Sequence, residues 1–232
     1  MNNKNFYDKK YFKAHDYIDE LSAKTIKKIL DENQLQKVLD IGCGTGRMVK
    51  FLNQKGFDCY GIDSQDEALK KARKINKKGK ILKASAIKLP FKNQVFDFVS
   101  SLSVIEHLTQ KEGRQFLKET RRVLRKNGII FLITPNYNSP LRYLLGDKWF
   151  AYSDPTHLYF YTPESLRNLL EKEGFMNIKT RVKTPYNLKN HWYLPKVCRN
   201  LPMPIKNFLT YSIFSSFFAA FRDSFWMIAQ KK

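Results

Sequence analysis

The sequence predicts an α/β protein built on a doubly wound, mainly parallel sheet. Short apolar runs bounded by turn residues alternate along the chain with segments of helical periodicity. Helical segments of about 10 to 15 residues separate the strand candidates, as in successive βαβ units. Such connections join parallel neighbours through right-handed crossovers.

The strand candidates before residue 135 are short apolar runs that end at turn or polar residues. They are Lys37–Ile41, Cys59–Ile62, Lys80–Ala84, Phe96–Leu102 and Ile129–Thr134. Helices are predicted between them at Arg47–Lys55, Gln65–Ile75 and Lys111–Arg125. We expect Asn127-Gly128 to end the last of these helices before the fifth strand begins.

The pattern changes after Pro135. Residues 135–161 contain many aromatic residues and prolines without a clear period, which indicates a loop region that shapes a pocket. Thr162 is a predicted N-cap with Pro163 at the first helical position, and Gly174 ends that helix. Strands are predicted at 175–182 and 225–229, separated by an insertion at 184–221 that is rich in proline and aromatic residues.

Composition places this pattern in a folded protein with a basic surface. The chain has 232 residues and a formal net charge of +21, with 43% hydrophobic and 14% aromatic residues. That apolar content excludes a disordered polycation, and the length fits a single domain over residues 1–232. Cys43, Cys59 and Cys198 form no close pair, and the N-terminus is polar. We therefore expect a cytoplasmic protein without disulfides, without a Cys-based zinc site and without any other metal site.

The positive charge is concentrated in two acid-free segments. One is Lys70–Lys83, and the other is Gly174–Arg222. Each has two interpretations: a solvated basic face, or a surface that binds an anionic partner.

The second basic segment also contains an apolar helical face. Phe214, Phe217, Phe218 and Phe221 are spaced at i, i+3, i+4 and i+7. The apolar stretch 208–221 is shorter than the roughly 20 residues that a membrane-spanning helix needs. It fits either a helix packed on the core or an interfacial helix that covers an apolar substrate and lies at a membrane surface.

The most informative motif is a glycine-rich turn between a strand and a helix. Its residues are Val38-Leu39-Asp40-Ile41-Gly42-Cys43-Gly44-Thr45-Gly46-Arg47. Glycines at alternate positions let a ligand approach the main chain beside the N–H groups of a helix N-terminus. Asp63, at the end of the second strand, can accept hydrogen bonds from both hydroxyls of a ribose. Together they predict a site for a nucleoside-containing cofactor.

Spacing distinguishes between cofactors. A dinucleotide fingerprint G-x-G-x-x-G would need a glycine at Arg47, and the loop lacks the lysine of a phosphate-binding P-loop. The G-x-G-x-G form, preceded by Asp40, resembles motif I of class I S-adenosylmethionine-dependent methyltransferases. The resemblance runs from about Tyr7 to Lys231 and includes four further segments. These are Gly61-Ile62-Asp63, Leu89-Pro90-Phe91, Phe96–Val99 leading into Val104-Ile105-Glu106-His107-Leu108, and Arg122–Gly128.

The resemblance implies a Rossmann-like, seven-stranded sheet of order 3-2-1-4-5-7-6 with the last strand antiparallel. It also implies S-adenosyl-L-methionine as cofactor. Asp40, Gly42, Gly44 and Gly46 would then line the methionine end, while Asp63 and Ser64 would lie at the ribose. Ser85 and Ala86 would border the adenine, and Leu102 and Ser103 would face the cofactor and the transfer site. Many members of the family have Asp where this chain has Ser85, so the hydrogen bond to the adenine amino group would lack charge here.

A general base for a hydroxyl or amine acceptor is sought among the histidines, His15, His107, His157 and His191. His157 is the first choice, because the segment Tyr152–Tyr161 resembles the loop that covers the acceptor in a subgroup of these enzymes. That subgroup methylates small molecules such as quinone precursors. His107 has either a catalytic or a structural role, and Glu106 is a further candidate for base or orienting group.

The predicted acceptor pocket is aromatic. Its residues are Trp149, Tyr152, Tyr159 and Tyr161, with Tyr7 and Tyr11 on an N-terminal lid helix within residues 1–36. We expect a methyltransferase for a small-molecule or lipid-linked acceptor, anionic in character and modified on oxygen, with peripheral membrane contact. Two alternatives remain open: an RNA methyltransferase that uses the basic surface, and a non-catalytic cofactor-binding protein.

Overall fold

A computed structural model describes residues 7–8, 11–12, 16–139, 142–143, 146–181, 200–206 and 224–232. The helices in these ranges are α1 Glu20–Glu32, α2 Arg47–Gln54, α3 Asp66–Ile75, α4 Gln110–Val123 and α5 Pro163–Lys172. The strands are β1 Lys37–Ile41, β2 Asp58–Asp63, β3 Ile81–Lys83, β4 Phe96–Leu102, β5 Leu124–Pro135, β6 Phe175–Arg181 and β7 Ser224–Lys231. His15, His191, Cys198, the phenylalanine face and most of the insertion 184–221 lie outside the described residues.

The strands form one sheet in the order β3-β2-β1-β4-β5-β7-β6. Pairing is parallel from β3 through β5, and β7 runs antiparallel to both β5 and β6. The predicted fold class and strand order are confirmed. Ile41 pairs with Ile62 and Ser101, so β1, β2 and β4 end at the same edge of the sheet.

Alternating side chains of the central strands fill a hydrophobic core on each face of the sheet. On one face, Leu39 and Ile130 pack with residues of α4 and α5. On the other, Val38 and Phe131 pack with residues of α1, α2 and α3. Both faces are covered by helices, as parallel sheets require. Helix α1, which was predicted as part of a lid, buries Ala23, Ile26 and Leu30 in the second core.

The boundary between α4 and β5 differs from the prediction. The helix ends at Val123 because Leu124 is already extended, with φ −69° and ψ 138°. Leu124 is buried and pairs with Phe96. The next pair is Phe98 with Ile129, so β5 advances five residues between these two pairs while β4 advances only two. Asn127 has φ 62°. Asn127-Gly128 therefore lies in a bulge within the strand and does not end the helix.

Arg122 connects two of the segments on which the family resemblance rests, Leu89-Pro90-Phe91 and Arg122–Gly128. Its guanidinium donates to the carbonyls of Phe91 and Leu89 at 2.7 and 3.0 Å and pairs with Glu119. Glu119 in turn accepts from the backbone N–H of Leu89 at 2.8 Å. This network fixes the loop before β4 to α4, so both segments are part of the scaffold.

Among the described residues, no helix combines the length and the apolar composition that a membrane crossing requires.

The glycine that caps α2 gives a prediction about stability. Gly46 has φ +76°, and a Cβ built on it would lie 2.9 Å from the Cβ of Ala72 on α3. Gly79 has a similar φ of +82°, but a Cβ there meets nothing within 4 Å. Both glycine-to-alanine variants should lose about 1–2 kcal/mol from the left-handed backbone, and Gly46→Ala should lose about 1–3 kcal/mol more from overpacking. Urea unfolding of the two variants measures this difference, and equal losses would contradict the close packing of α2 on α3.

Candidate active site

The candidate site lies at the edge of the sheet where β1, β2, β4 and β5 end. In open α/β sheets, ligands bind in the crevice outside these carboxyl ends. Four loops meet there: the glycine-rich turn, the turn after Asp63, the short 3₁₀ segment Ile105–His107, and the region 136–161. The residues predicted from the sequence come from all four.

The three glycines of the turn all have positive φ angles, but a Cβ added at each would meet different surroundings. A Cβ on Gly42 would lie 2.3 Å from Cγ2 of Val104, so this glycine lets β1 approach the end of β4. Gly46 is needed for the packing of α2 on α3. A Cβ on Gly44 would meet nothing within 4 Å. Only at Gly44 does the turn leave open space beside the backbone, which is where a ligand can approach.

Asp63 joins the glycine-rich turn to the end of β2. One carboxylate oxygen accepts from the N–H of Gly44 at 2.9 Å, and the other accepts from the N–H of Gln65 at 2.8 Å. The backbone N–H of Ser64 is a third donor to this carboxylate, so about one of its four acceptor sites is left for a ligand hydroxyl. Burial raises the pKa of Asp63 above its ordinary value, and these backbone hydrogen bonds act against that rise.

Asp40 lies deeper in the sheet. Its side chain is 4% exposed and accepts a hydrogen bond from Ser100 on β4 at 2.7 Å. Burial raises the pKa of Asp40 to about 7, against the effect of Ser100. This carboxyl is therefore an internal link between β1 and β4 directly below Gly42.

The other predicted cofactor residues follow the ends of neighbouring strands. Ser64 and Ser85 are exposed after β2 and β3, and Ala86 is half-buried against the core. Leu102 is half-buried at the end of β4, and Ser103 follows it with φ +55°. A left-handed serine at a strand end is uncommon and occurs preferentially at functional sites.

On the other side of the crevice, the structure brings Glu106, His107 and His157 together. The centres of the two imidazole rings are 4.7 Å apart. The carbonyl of Glu106 accepts from the N–H groups of Leu158 and Tyr159 at 2.8 and 3.1 Å, which ties the 3₁₀ segment to the loop that carries His157. The three candidates predicted from separate parts of the sequence therefore form one cluster.

Hydrogen bonds define which nitrogen of each imidazole can accept a proton. Nδ1 of His157 lies 2.6 Å from the carbonyl oxygen of Ala151, which can only accept. Nδ1 of His107 lies 2.9 Å from the hydroxyl oxygen of Thr156 and 3.3 Å from its carbonyl oxygen. Because the Thr156 hydroxyl donates to Asp154, His107 is the donor in both contacts. In the neutral rings both protons sit on Nδ1, so both Nε2 atoms carry the lone pair.

Burial keeps Glu106 and His107 uncharged near neutral pH. The side chain of Glu106 accepts from the hydroxyl of Thr134 at 3.0 Å, and burial raises its pKa to about 8. Burial and the neighbouring His157 lower the pKa of His107. The acid is therefore protonated and His107 is neutral.

The N-terminal segment lies over the histidines. The hydroxyl of Tyr7 is 2.8 Å from Oγ1 of Thr156 and 3.1 Å from Nδ1 of His107, and the ring of Tyr11 packs edge-on against Tyr7 at 5.0 Å. Arg47 pairs with Asp16 through two contacts of 2.9 and 3.1 Å, which anchors the same segment to α2. Tyr7 therefore contacts the histidine cluster directly, and Tyr11 packs on Tyr7; their role as a lid over the acceptor stays a prediction.

The predicted pocket aromatics divide into two groups. Tyr152 and Tyr159 are half-buried and can line a pocket. Trp149 is fully buried, and Tyr161 is 2% exposed. The ring of Tyr161 belongs to the hydrophobic core, and its hydroxyl lies against Gly113 of α4. Their predicted place on the pocket wall is therefore corrected: Trp149 and Tyr161 pack behind the wall.

Asp154 and Thr156 contribute to the site although the sequence analysis did not single them out. Oδ1 of Asp154 accepts from the N–H and hydroxyl of Thr156 at 2.8 and 2.6 Å, and Thr156 contacts both His107 and Tyr7. Oδ2 of Asp154 is 3.8 Å from Nε2 of His157. The sequence Asp154-Pro155-Thr156 is typical of an Asx turn, so the turn could have been predicted. The contact of Thr156 with His107 could not, because it depends on how the loop folds.

The same cluster has a donor set that suits a cation. One ligand-type atom from each of Glu106, His107 and His157 lies within 4.8 Å of the others. Two imidazoles and a carboxylate are ligands for several divalent transition metals. The cluster can therefore accept a proton or hold a metal ion.

Comparison with known proteins identifies the family. The model of the methyltransferase domain matches residues 8–180. A crystal structure of a SAM-dependent methyltransferase from Archaeoglobus fulgidus covers 97% of this chain and 100% of its own, with a TM-score of 0.68 and 23% identity. The chain belongs to the S-adenosylmethionine-dependent methyltransferase family.

Curated relatives of this methyltransferase include enzymes named for quinone biosynthesis. It is 28% identical to the demethylmenaquinone methyltransferase of Thermotoga maritima over 66% of this chain and 75% of that protein. It is 31% identical to the mitochondrial ubiquinone biosynthesis O-methyltransferase of Bos taurus over 68% of this chain. The match spans 46% of the bovine protein's length.

The cofactor of this methyltransferase is S-adenosylmethionine, and the residues at the glycine-rich turn fit it. The open space beside Gly44 accommodates a ligand against the backbone. The carboxylate of Asp63, held by three backbone N–H groups, keeps acceptor capacity for a ribose hydroxyl at the same edge of the sheet. Asp63 would hold the ribose and Gly44 would line the methionine end, whereas Gly42 and Gly46 pack against Val104 and Ala72.

The role of Asp63 in the methyltransferase can be tested with an isosteric variant. In Asp63→Asn, the amide has one acceptor oxygen and no charge. S-adenosylmethionine should bind about 10- to 100-fold more weakly, as is typical for losing a hydrogen bond to a charged group. Calorimetry measures the affinity. The matched control is Asp66→Asn, an exposed aspartate three residues away that pairs with Lys83; it should bind as wild type does. Equal affinity for Asp63→Asn and wild type would exclude the proposed ribose contact.

The buried Glu106 predicts a pH dependence of stability for the methyltransferase. Its pKa rises from 4.5 to about 8 on folding, so the folded protein retains a proton that the unfolded chain releases. The resulting stabilisation is full below pH 4.5 and is lost as the pH rises towards 8. Between these values the free energy of unfolding of wild type should fall relative to that of Glu106→Gln by up to about 1.4 kcal/mol per pH unit.

Urea unfolding at several pH values gives this difference. Glu164→Gln, at an exposed position at the start of α5, is the control and should run parallel to wild type. A constant difference between Glu106→Gln and wild type across this range would show that Glu106 is ionised in the folded protein.

Proposed function

We propose that this enzyme transfers the methyl group of S-adenosylmethionine to a hydroxyl oxygen of a small aromatic or lipid-linked acceptor, with His157 as general base. The observation that carries the proposal is the pair of imidazoles 4.7 Å apart, each with Nδ1 occupied as a donor. Among the described residues, neither Nε2 atom forms a hydrogen bond, so each can accept a proton.

The chemistry requires alignment and removal of one proton. When bound, S-adenosylmethionine would supply a methyl group activated by its sulfonium; the acceptor oxygen would gain the O–CH₃ bond as the S–CH₃ bond breaks, and S-adenosylhomocysteine would leave. Nε2 of His157 takes the hydroxyl proton. Asp154, with Oδ2 3.8 Å from that nitrogen, stabilises the resulting imidazolium. Proximity supplies much of the rate, since holding two reactants in line removes several kcal/mol of the barrier.

Two features support oxygen as the acceptor atom. At the end of β4 the chain has Ser101-Leu102-Ser103-Val104, in place of the D/N-P-P-Y type signature of many amine-directed methyltransferases. The bovine relative is named an O-methyltransferase. The two quinone-biosynthesis relatives support an aromatic, lipid-linked acceptor.

An apolar rim supports an acceptor that the enzyme takes from a membrane surface. Near the acceptor side of the crevice, Tyr143, Leu158 and Phe150 expose 75%, 53% and 37% of their surface. We propose a cytoplasmic enzyme in peripheral contact with a membrane. The basic clusters would assist contact with anionic lipids.

RNA is the second candidate acceptor, favoured by the net charge of +21. The structure reduces the free charge of the cluster Lys70–Lys83, because Lys70, Lys80 and Lys83 pair with Glu67, Asp58 and Asp66. Steeply salt-dependent RNA binding together with methyl transfer to tRNA would favour this candidate over the small-molecule acceptor.

The proposed base predicts a loss of turnover. In His157→Gln, the side chain keeps a donor for the Ala151 carbonyl but lacks a base, so kcat should fall about 10²- to 10⁴-fold. Binding of S-adenosylmethionine should stay unchanged, because the predicted cofactor contacts lie at the ends of β1, β2, β3 and β4 and do not include His157. The acceptor is identified first, by incubating the enzyme and labelled S-adenosylmethionine with lipid, quinone-precursor, glycan and tRNA fractions. The fraction that takes up the label contains the acceptor.

Three outcomes of that experiment distinguish the alternatives. Unchanged turnover in His157→Gln removes His157 as base. Turnover that a chelator abolishes and a divalent metal restores assigns the cluster to a cation. Cofactor binding without transfer to any fraction indicates the non-catalytic protein.

A further inference from the structure

Arg142 is held in a fixed position at the rim of the region 136–161. Its guanidinium carbon lies 4.0 Å from the centre of the Tyr137 ring and 4.1 Å from the centre of the Tyr143 ring. Nε donates to the carbonyl of Tyr137 at 3.0 Å, and Nη1 donates to the hydroxyl of Tyr152 at 3.3 Å. Two rings and two hydrogen bonds thus immobilise a side chain that would otherwise sample many rotamers.

The guanidinium retains binding capacity. Of its five N–H groups, the two bonds above use one on Nε and one on Nη1, both to neutral oxygens. Within the described residues, Arg142 forms no ion pair with a carboxylate, and the groups that raise its pKa are tyrosines. The Nη1 and Nη2 donors that remain form a fork suited to a carboxylate or a phosphate.

Arg142 is connected to the proposed base through three aromatic rings. Tyr137 stacks on Phe160 at 5.5 Å, and Tyr152 packs edge-on against the same ring at 5.3 Å. Phe160 packs edge-on against His157 at 6.0 Å. Tyr152 also follows Ala151, whose carbonyl fixes the His157 ring. An aromatic acceptor at His157 would therefore have this cluster beside it and a cation at the cluster's far end.

We propose that Arg142 binds an anionic group of the acceptor, so that the enzyme prefers acceptors carrying a carboxylate or phosphate in addition to the methylated hydroxyl. The inference rests on the proposed function, because it places the acceptor at His157. Immobilisation by Tyr137 and Tyr143 lowers the entropy lost on binding the anion. Lysines on the exposed helices have no such support.

Selectivity between matched acceptors tests this role. The probes are 3,4-dihydroxybenzoate, 3,4-dihydroxybenzyl phosphate and the neutral methyl ester of the benzoate. One of the two anionic probes should carry the anion that the natural acceptor carries. Wild type should methylate that probe with a kcat/KM at least tenfold above that of the neutral ester. In Arg142→Gln this ratio should fall at least tenfold, through KM. Lys148→Gln, an exposed cation on the same region, is the matched control and should keep the wild-type ratio.

Arg142→Lys separates geometry from charge. A lysine retains the charge but not the fork, so it should restore part of the ratio. A purely structural arginine predicts the opposite: anionic and neutral acceptors lose kcat/KM together in both variants. That outcome, or a wild-type ratio near one for both anions, would overturn the proposal.

A binding measurement tests the anion site independently of turnover. Calorimetry with S-adenosylhomocysteine present measures the affinity of 4-hydroxybenzoate and phenyl phosphate. If wild type binds either anion at least tenfold more tightly than Arg142→Gln but methylates none of the probes, the anion site stands and the proposed function fails for these acceptors. If neither anion binds wild type, the anion site is refuted whatever the turnover.

Discussion

Glu106 is the residue on which the acceptor side of the site depends. Its carbonyl accepts from Leu158 and Tyr159, and its carboxyl accepts from Thr134 on β5. These bonds attach the region after β5 to the end of β4, and His107 follows directly in the chain. A buried carboxyl is tolerated here because it can stay protonated, since isolated buried charge is far more unfavourable than a neutral acid. This link acts together with the contacts of His107 with Thr156 to fix His157 beside His107.

The cofactor side depends on a comparable link between two strands. The N–H of Gly44 donates to Asp63, which connects the turn after β1 to the end of β2. Parallel pairing brings both strand ends to the same edge, and α2 begins beside them. The two sides therefore differ in construction. The cofactor side is built from adjacent strand ends and short turns, whereas the acceptor side is built from a long loop held by hydrogen bonds.

This difference explains how much the sequence could predict. Strands β1 and β4 have their predicted bounds because each is a buried apolar run, and the motif at Gly42–Gly46 is local in sequence. The end of α4 was mispredicted because the pairing of Leu124 with Phe96 is a tertiary contact that overrides a local turn signal. His157 and His107 were both found by residue type and context. Their contact through Thr156 depends on how the loop folds back, which no local pattern encodes.

The spacing of the two imidazoles also limits how many protons the site can hold. With ring centres 4.7 Å apart and largely shielded from water, a charge on one ring disfavours a charge on the other. A charge on His157 is thus one cause of the lowered pKa of His107. If each turnover delivers one proton to His157, that proton has to reach solvent before a second acceptor can react. Tyr7 lies against His107 and Thr156 and so shields part of this pair from solvent.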